Sequence, residues 1–314
     1  MLSFLFNAVV PVFILLLIGY ASVASRLFSD SMVDTLMRYA IKIGIPCLLF
    51  NATSVIDLSS AFNWPALGAF YLAASISFAL GILCSRLIFK RRPGESVAIG
   101  FGALYSNLVL IGLPITERAL GPEFMPMAIT LVSIHTPFCY LLGISVMESV
   151  RADGRGLLAT VVVVIKTMFN NSLMIAIALG FLVNISQLAV PVPIDEALRM
   201  IQLSAMPLAL FGLGGILRRY SLTKSLRESS CVSLLSLVVH PALTLGLCVV
   251  LQVDEMLRNV VVLMASTAPG VNAYLFANMY ERGQSVAASS VLLSTLVSLF
   301  SISVWLSVLI SLSS

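Results

Sequence analysis

The sequence predicts an all-α polytopic membrane protein: ten transmembrane helices in two inverted five-helix repeats, with the fourth and ninth helices broken and crossing. Three observations carry that prediction. The 314-residue chain is 59% hydrophobic and 10% charged, with a mean hydropathy of +1.05, whereas a soluble domain is about a quarter charged. Charge and turn clusters divide it into ten apolar runs with no room for an extramembrane domain. Two of those runs carry proline, glycine and asparagine together in their interiors.

A bilayer span needs about 20 mostly apolar residues. The runs are 4–25, 33–52, 64–88, 96–119, 125–147, 160–184, 196–217, 229–251, 257–279 and 285–311. The first ends in Ala21-Ser-Val-Ala-Ser25, which faintly resembles a signal-peptidase site. No Lys or Arg precedes it and it is longer than a usual signal core, so it is read as a retained helix.

Orientation follows from the basic residues. Alternate loops hold Arg26; Arg86, Lys90, Arg91 and Arg92; Arg151 and Arg155; Arg218, Arg219, Lys224 and Arg227; and Arg282, which is 12 of the 18 Lys and Arg. The opposite loops hold Arg118, Arg199 and Arg258. The bias puts the first set in the cytoplasm and both termini outside, in a cell (inner) membrane. Lys166 falls near the cytoplasmic mouth of span six. The net charge of +4 is thus read as topology, and no nucleic-acid partner is expected.

The halves also match each other. Span two reads Asp34-x3-Arg38…Ile45-Pro-Cys-Leu-Leu-Phe50 and span seven reads Asp195-x3-Arg199…Met206-Pro-Leu-Ala-Leu-Phe211, at a common offset of 161 residues. Phe6-Asn7 and Phe169-Asn170 differ by 163, and Pro114 and Pro269 by 155. Five helices is an odd number, so the second copy must be inverted. The repeats are taken as 1–156 and 157–314.

The candidate substrate site lies in the two interrupted spans. Span four reads Tyr105-Ser-Asn-Leu-Val-Leu-Ile-Gly-Leu-Pro114, and Pro114 and Gly112 predict unwinding around 108–113. A half-helix beginning near Pro114 presents free N–H groups and a positive dipole end to an anion. Ser106 and Asn107 add a hydroxyl and an amide. Span nine reads Ser266-Thr-Ala-Pro-Gly-Val-Asn-Ala-Tyr274, with Pro269 and Gly270 to break the helix and Asn272 beside the break. Interrupted helices at corresponding positions of two halves mark a transport site; each alone also reads as a plain kink. Tyr105 and Tyr274 are candidates to stack on or gate the ligand, or simply to pack.

Six further residues stand out. Lys42 lies half-way along span two, where a cation is costly and usually functional: a counter-charge, a proton-linked group, a stand-in for a coupling ion, or a snorkelling lysine. Arg38 is read as snorkelling or pairing with Asp34. His135 and His240 both precede prolines closely and titrate near neutral pH when free, though a lone histidine on an apolar face is more often packing. Pro46 and Pro207 are read as kinks.

Much is excluded. No phosphate-cradling glycine loop, paired-histidine metal motif or nucleophile elbow is present, so no enzyme is expected. No K⁺-type filter occurs. All fourteen Asp and Glu fit loops or helix ends, which argues against a membrane carboxylate relay. Cys47, Cys84, Cys139, Cys231 and Cys248 lack ligand spacing and read as small core residues. No cofactor or metal is expected beyond a coupling H⁺ or Na⁺.

With these features in view, the chain resembles the auxin efflux carrier family, which includes bacterial malonate and malate carriers. The resemblance runs end to end. It is carried by Val10-Pro-Val-Phe…Leu17-Ile-Gly-Tyr20, Ile45-Pro-Cys-Leu-Leu-Phe50, Ser106-Asn…Ile111-Gly-Leu-Pro114, Met206-Pro-Leu-Ala-Leu-Phe-Gly-Leu-Gly214 and Ala268-Pro…Asn272-Ala273. The family is similar in fold to bile-acid/sodium symporters and sodium/proton antiporters. The resemblance implies a scaffold domain, a transport domain, a substrate site at the crossing of spans four and nine, and organic anions as cargo; some members are dimers. Lys42 stands where an uncharged residue is expected, and the long loop of plant auxin carriers is absent (148–157 is short).

The expected function is a secondary active carrier of a small organic anion, a mono- or dicarboxylate, working by alternating access as the crossover-bearing bundle moves against the rest. The rivals are a sodium-coupled symporter of the bile-acid type, a passive anion channel, and a membrane sensor without flux.

Overall fold

The computed structural model describes residues 2–57, 62–150, 162, 171–222 and 225–313. The helices in chain order are α1 (Leu2–Ala24), α2 (Asp30–Tyr39), α3 (Ile45–Val55), α4 (Trp64–Leu87), α5 (Pro93–Leu104), α6 (Leu113–Ala119) and α7 (Met125–Val150). They continue as α8 (Ser172–Ser186), α9 (Val192–Leu217), α10 (Leu226–Leu234), α11 (His240–Val250), α12 (Glu255–Ala265), α13 (Val271–Met279) and α14 (Gln284–Ser313). Among the described residues the extended pairing is confined to one isolated bridge. Six helical stretches there are long and apolar enough to cross a membrane: Asn7–Ala24, Trp64–Leu87, Pro122–Val150, Val192–Leu217, Leu226–Val250 and Gln284–Leu312. The places of Arg151, Arg155, Lys166, Phe169, Asn170 and Lys224 lie outside the described residues.

Prolines shape the helices in a way the sequence did not announce. Three π-turns, Ala40–Gly44, Leu108–Gly112 and Leu235–Val239, each end two residues before a proline: Pro46, Pro114 and Pro241. Proline lacks an N–H, and its ring collides with the carbonyl four residues back. Widening the preceding turn relieves both problems, because the donors now reach back five residues. Thus Leu113 N–H bonds the Leu108 carbonyl, and Ile45 N–H the Ala40 carbonyl. Pro46 therefore sits on a π-turn, whereas Pro207 lies inside the uninterrupted α9.

The chain forms two compact units. Unit 1 comprises Met1–Val10, Phe62–Val161 and Tyr220–Ser314; unit 2 comprises Pro11–Ala61 and Val162–Arg219. In unit 2, small residues let backbones touch, the usual basis of helix association in lipid. A Cβ on Gly19 would collide with the Phe211 carbonyl, and one on Gly214 with the Leu16 carbonyl, so α1 and α9 pack backbone to backbone. The Asn184 amide reaches the Thr53, Ser54 and Ile56 carbonyls at 3.3, 3.1 and 2.8 Å and so caps the C-terminus of α3. Arg219 bonds Asp30 at 3.0 Å and Asp34 at 2.8 Å. Asp34 thus has Arg219 as its ion-pair partner, where pairing with Arg38 was one expectation; Arg38 is exposed.

In unit 1 the most buried helices are the interrupted ones. Every residue from Ser96 to Leu104 in α5 and from Val260 to Ala265 in α12 is buried. Irregular backbone at membrane depth is tolerated where protein surrounds it, and these helices meet that condition.

Candidate functional site

The site starts from two chain breaks that pair with each other. α5 stops at Leu104, and Tyr105 turns extended at φ −94° and ψ 94°. α12 stops at Ala265, and Gly270 is extended at φ −76° and ψ 163° before α13 begins. Ser106 and Pro269 face each other as an antiparallel bridge. Its two hydrogen bonds run from Asn107 N–H to the Ala268 carbonyl (2.8 Å) and from Gly270 N–H to the Tyr105 carbonyl (3.0 Å). Ser106 and Pro269 are therefore the non-hydrogen-bonded pair of the ladder. That register explains Pro269: at this position a strand residue donates nothing to its partner, so the missing N–H costs the crossing no bond.

The break in span four does not fall where Pro114 suggested. Residues 108–113 are helical, not unwound, and the interruption is at 105–107. The π-turn absorbs Pro114, and the new half-helix starts at Asn107, not near Pro114. Asn107 is its N-cap: Oδ1 accepts from Leu110 N–H at 3.2 Å. Such a cap is worth about 1 kcal/mol. The other half of the amide is idle. Asn107 is 5% exposed, and its Nδ2 has no hydrogen-bond partner. A buried donor left unpaired costs about 1–3 kcal/mol.

The second half-helix is bare. Gly270 caps α13 without a side chain, and of the first-turn N–H groups that of Ala273 turns back to the Gly270 carbonyl at 2.9 Å, so the positive end of this half-helix has no side-chain cap. Asn272, half-buried in that turn, donates from Nδ2 to the Tyr105 hydroxyl at 2.7 Å. The Tyr105 hydroxyl also lies 2.7 Å from Thr136 Oγ1 on α7. A chain of three polar side chains thus ties the two breaks to a third helix. Gly112 is buried beside Met264, and Gly270 lies under the Tyr105 ring, where a Cβ would sit 3.3 Å from its Cδ1. No Asp, Glu, Lys or Arg occurs in residues 96–116 or 259–280. Among the described residues no group of acidic, histidine or cysteine side chains fits a metal.

The structure brings Ser106, Asn107, Gly112, Pro114, Pro269, Gly270 and Asn272 into this one region of unit 1. His135 is there too, with its ring 4.7 Å from that of Tyr105. Tyr274 packs instead against Tyr220, with ring centroids 5.4 Å apart. Lys42 belongs to unit 2, exposed in the π-turn Ala40–Gly44. Sequence reasoning missed Thr136 as a partner of the crossing and Phe70, whose ring meets those of both histidines. His240, read as titrating or as packing, sets Nδ1 3.5 Å from Ser106 Oγ. One signal was available: His135-Thr136-Pro137 and His240-Pro241 both set a histidine just before a proline.

An all-helical apolar chain whose two interrupted helices bond break to break is a multi-pass membrane protein of the transporter class. The chain belongs to the membrane transport protein family, that of the auxin efflux carriers, whose model matches residues 4–306. It is 25% identical over 305 residues to an "Uncharacterized transporter" of Methanothermobacter thermautotrophicus, covering 95% of this chain and 96% of that one. It is 24% identical over 300 residues to a "Putative malonate transporter" of Rhizobium meliloti, covering 92% and 91%. These relationships mark a transporter of a small molecule and not an enzyme.

Proposed function

We propose that the protein is a secondary active carrier of a small organic anion, a mono- or dicarboxylate, that alternates access to the Asn107–Asn272 crossing. One observation carries the reading: the buried, unpartnered Asn107 amide beside the bare N-terminus of α13, in a region without a carboxylate. The N-terminus of α13, which has no side-chain cap, and the two amide side chains offer donors and partial positive charge to an anion. The relative named for malonate supports a carboxylate as cargo.

The proposal includes ten spans in two inverted repeats, 1–156 and 157–314, in the cell (inner) membrane with both termini extracytoplasmic. The unit boundaries support it: unit 2 draws on spans one, two, six and seven, and unit 1 on the rest, the same positions from each half. Arg91 bonds Glu228 at 2.6 Å. That contact supports placing the basic loops after spans three and seven on one side of unit 1.

The test is counterflow of labelled malonate in proteoliposomes holding the purified chain. Saturable exchange of internal for external label supports a carrier. Flux that neither saturates nor shows counterflow indicates a channel, and binding without flux a sensor. Dependence on a sodium gradient indicates the bile-acid type of coupling.

A further inference from the structure

The chain contains two histidines, and both stand at the crossing, one against Ser106 and the other against its neighbour Tyr105. His240, fully buried on α11, sets Nδ1 3.5 Å from Ser106 Oγ and Nε2 3.4 Å from the Phe70 carbonyl. His135, buried on α7, stands edge-on to the ring of Tyr105, the residue before Ser106, with centroids 4.7 Å apart. Both rings stand edge-on to Phe70, with centroids 5.8 Å (His135) and 5.0 Å (His240) from it. Ser106 is the centre of the bridge, opposite Pro269 and next to the idle Asn107 amide.

Hydrogen-bond accounting gives this convergence a chemical consequence. A carbonyl only accepts, so Nε2 of His240 carries the hydrogen toward Phe70. In the neutral ring Nδ1 then accepts, and the Ser106 hydroxyl spends its hydrogen on it. Adding a proton at Nδ1 reverses that bond: the ring donates, Ser106 Oγ accepts, and the hydroxyl hydrogen is released to donate elsewhere. Protonation therefore supplies both a positive charge and a new donor beside Asn107, and a carboxylate needs both. The polar groups facing the two rings are otherwise Tyr71 from α4, Tyr105 from the break, and Cys139 from α7. Every Asp, Glu, Lys and Arg of the described helices of unit 1 lies in a first or last turn. A mid-membrane anion has no fixed cation here, and the imidazoles are the groups that can become one.

We propose that His135 and His240 together hold one proton that enters and leaves with the substrate, so that the carrier is an anion–proton symporter with Ser106 as the relay. The proton comes from water on the side to which the site is open and returns to water on the other. This rests on the crossing being the substrate site. Reciprocity then requires that a bound anion favour the imidazolium and that acid strengthen anion binding.

With two histidines, ¹⁵N-histidine-labelled full-length protein purified through a tag without histidine gives two imidazole signals. Malonate is the probe. Saturating malonate is expected to convert one imidazole to imidazolium at a pH where both are neutral without it. The malonate Kd is expected to fall about tenfold per pH unit over part of the range between about pH 8 and 5, the slope of one linked proton. In H240Q that slope is expected to flatten. Counterflow of malonate together with imidazoles that stay neutral, or with a Kd flat across that range, overturns the inference and leaves the carrier reading standing. Absence of malonate binding and counterflow at every pH overturns both.

Discussion

The Asn272 amide donates to the Tyr105 hydroxyl at 2.7 Å, joining two chain breaks that lie 167 residues apart in sequence. Two backbone bonds already pair the breaks. The side-chain bond fixes how α13 leaves the bridge, and Thr136 anchors it to α7.

Tyr105→Phe removes one oxygen and leaves the Asn272 and Thr136 groups short of a partner. A half-buried donor so orphaned is expected to cost about 1–3 kcal/mol, read as a lower unfolding temperature in detergent. Malonate counterflow should fall by about tenfold, since misplacing the first turn of α13 weakens a site built on geometry. An unchanged unfolding temperature would show that the bond does not hold the crossing.

Asn107 has two functions that substitutions can separate. Asn107→Ala loses both the cap and the free amide; a stability loss of about 1 kcal/mol is expected. Asn107→Ser keeps a capping oxygen but has no Nδ2. Both variants are expected to lose malonate transport, as is Asn272→Ala, while Asn107→Ser stays near wild-type stability. Full transport by Asn107→Ser would remove the amide from the ligand contacts.

Two kinds of glycine should respond differently to alanine. At Gly19 and Gly214 the added carbon meets backbone carbonyls, which cannot step aside. Overpacking of this kind costs about 1–3 kcal/mol, so each variant should melt earlier. At Gly112 the obstacle is Met264 Sδ at 2.7 Å, on a flexible side chain. Gly112→Ala should be milder in stability, because the thioether can give way where a carbonyl cannot. Equal losses at all three positions would refute the distinction.

Lys42 is carried by unit 2 and exposed, so its expected effect is to attract the anion rather than to grip it. Lys42→Met is expected to raise the half-saturation concentration for malonate several-fold without changing the maximal rate, the pattern of lost uniform binding. The difference should shrink as salt screens the charge. A profile identical to wild type would leave Lys42 a structural residue.

The sequence by itself determined the helical class, the transporter family and the two spans whose helices break. These follow from composition, run length and the backbone chemistry of proline and glycine, all of which are local. It named Asn107, Pro269, Gly270 and Asn272 because a polar or helix-breaking residue in an apolar run stands out. Tertiary structure alone decided the rest. It moved the span-four break from 108–113 to 105–107, because a π-turn can absorb Pro114 when neighbouring helices bury it. It set Ser106 opposite Pro269, and it set His240 beside the crossing. It also placed Lys42 in the other unit. Periodicity records which residues share a helix; which side chains of separate helices meet depends on register and packing, and those exist once the chain has folded.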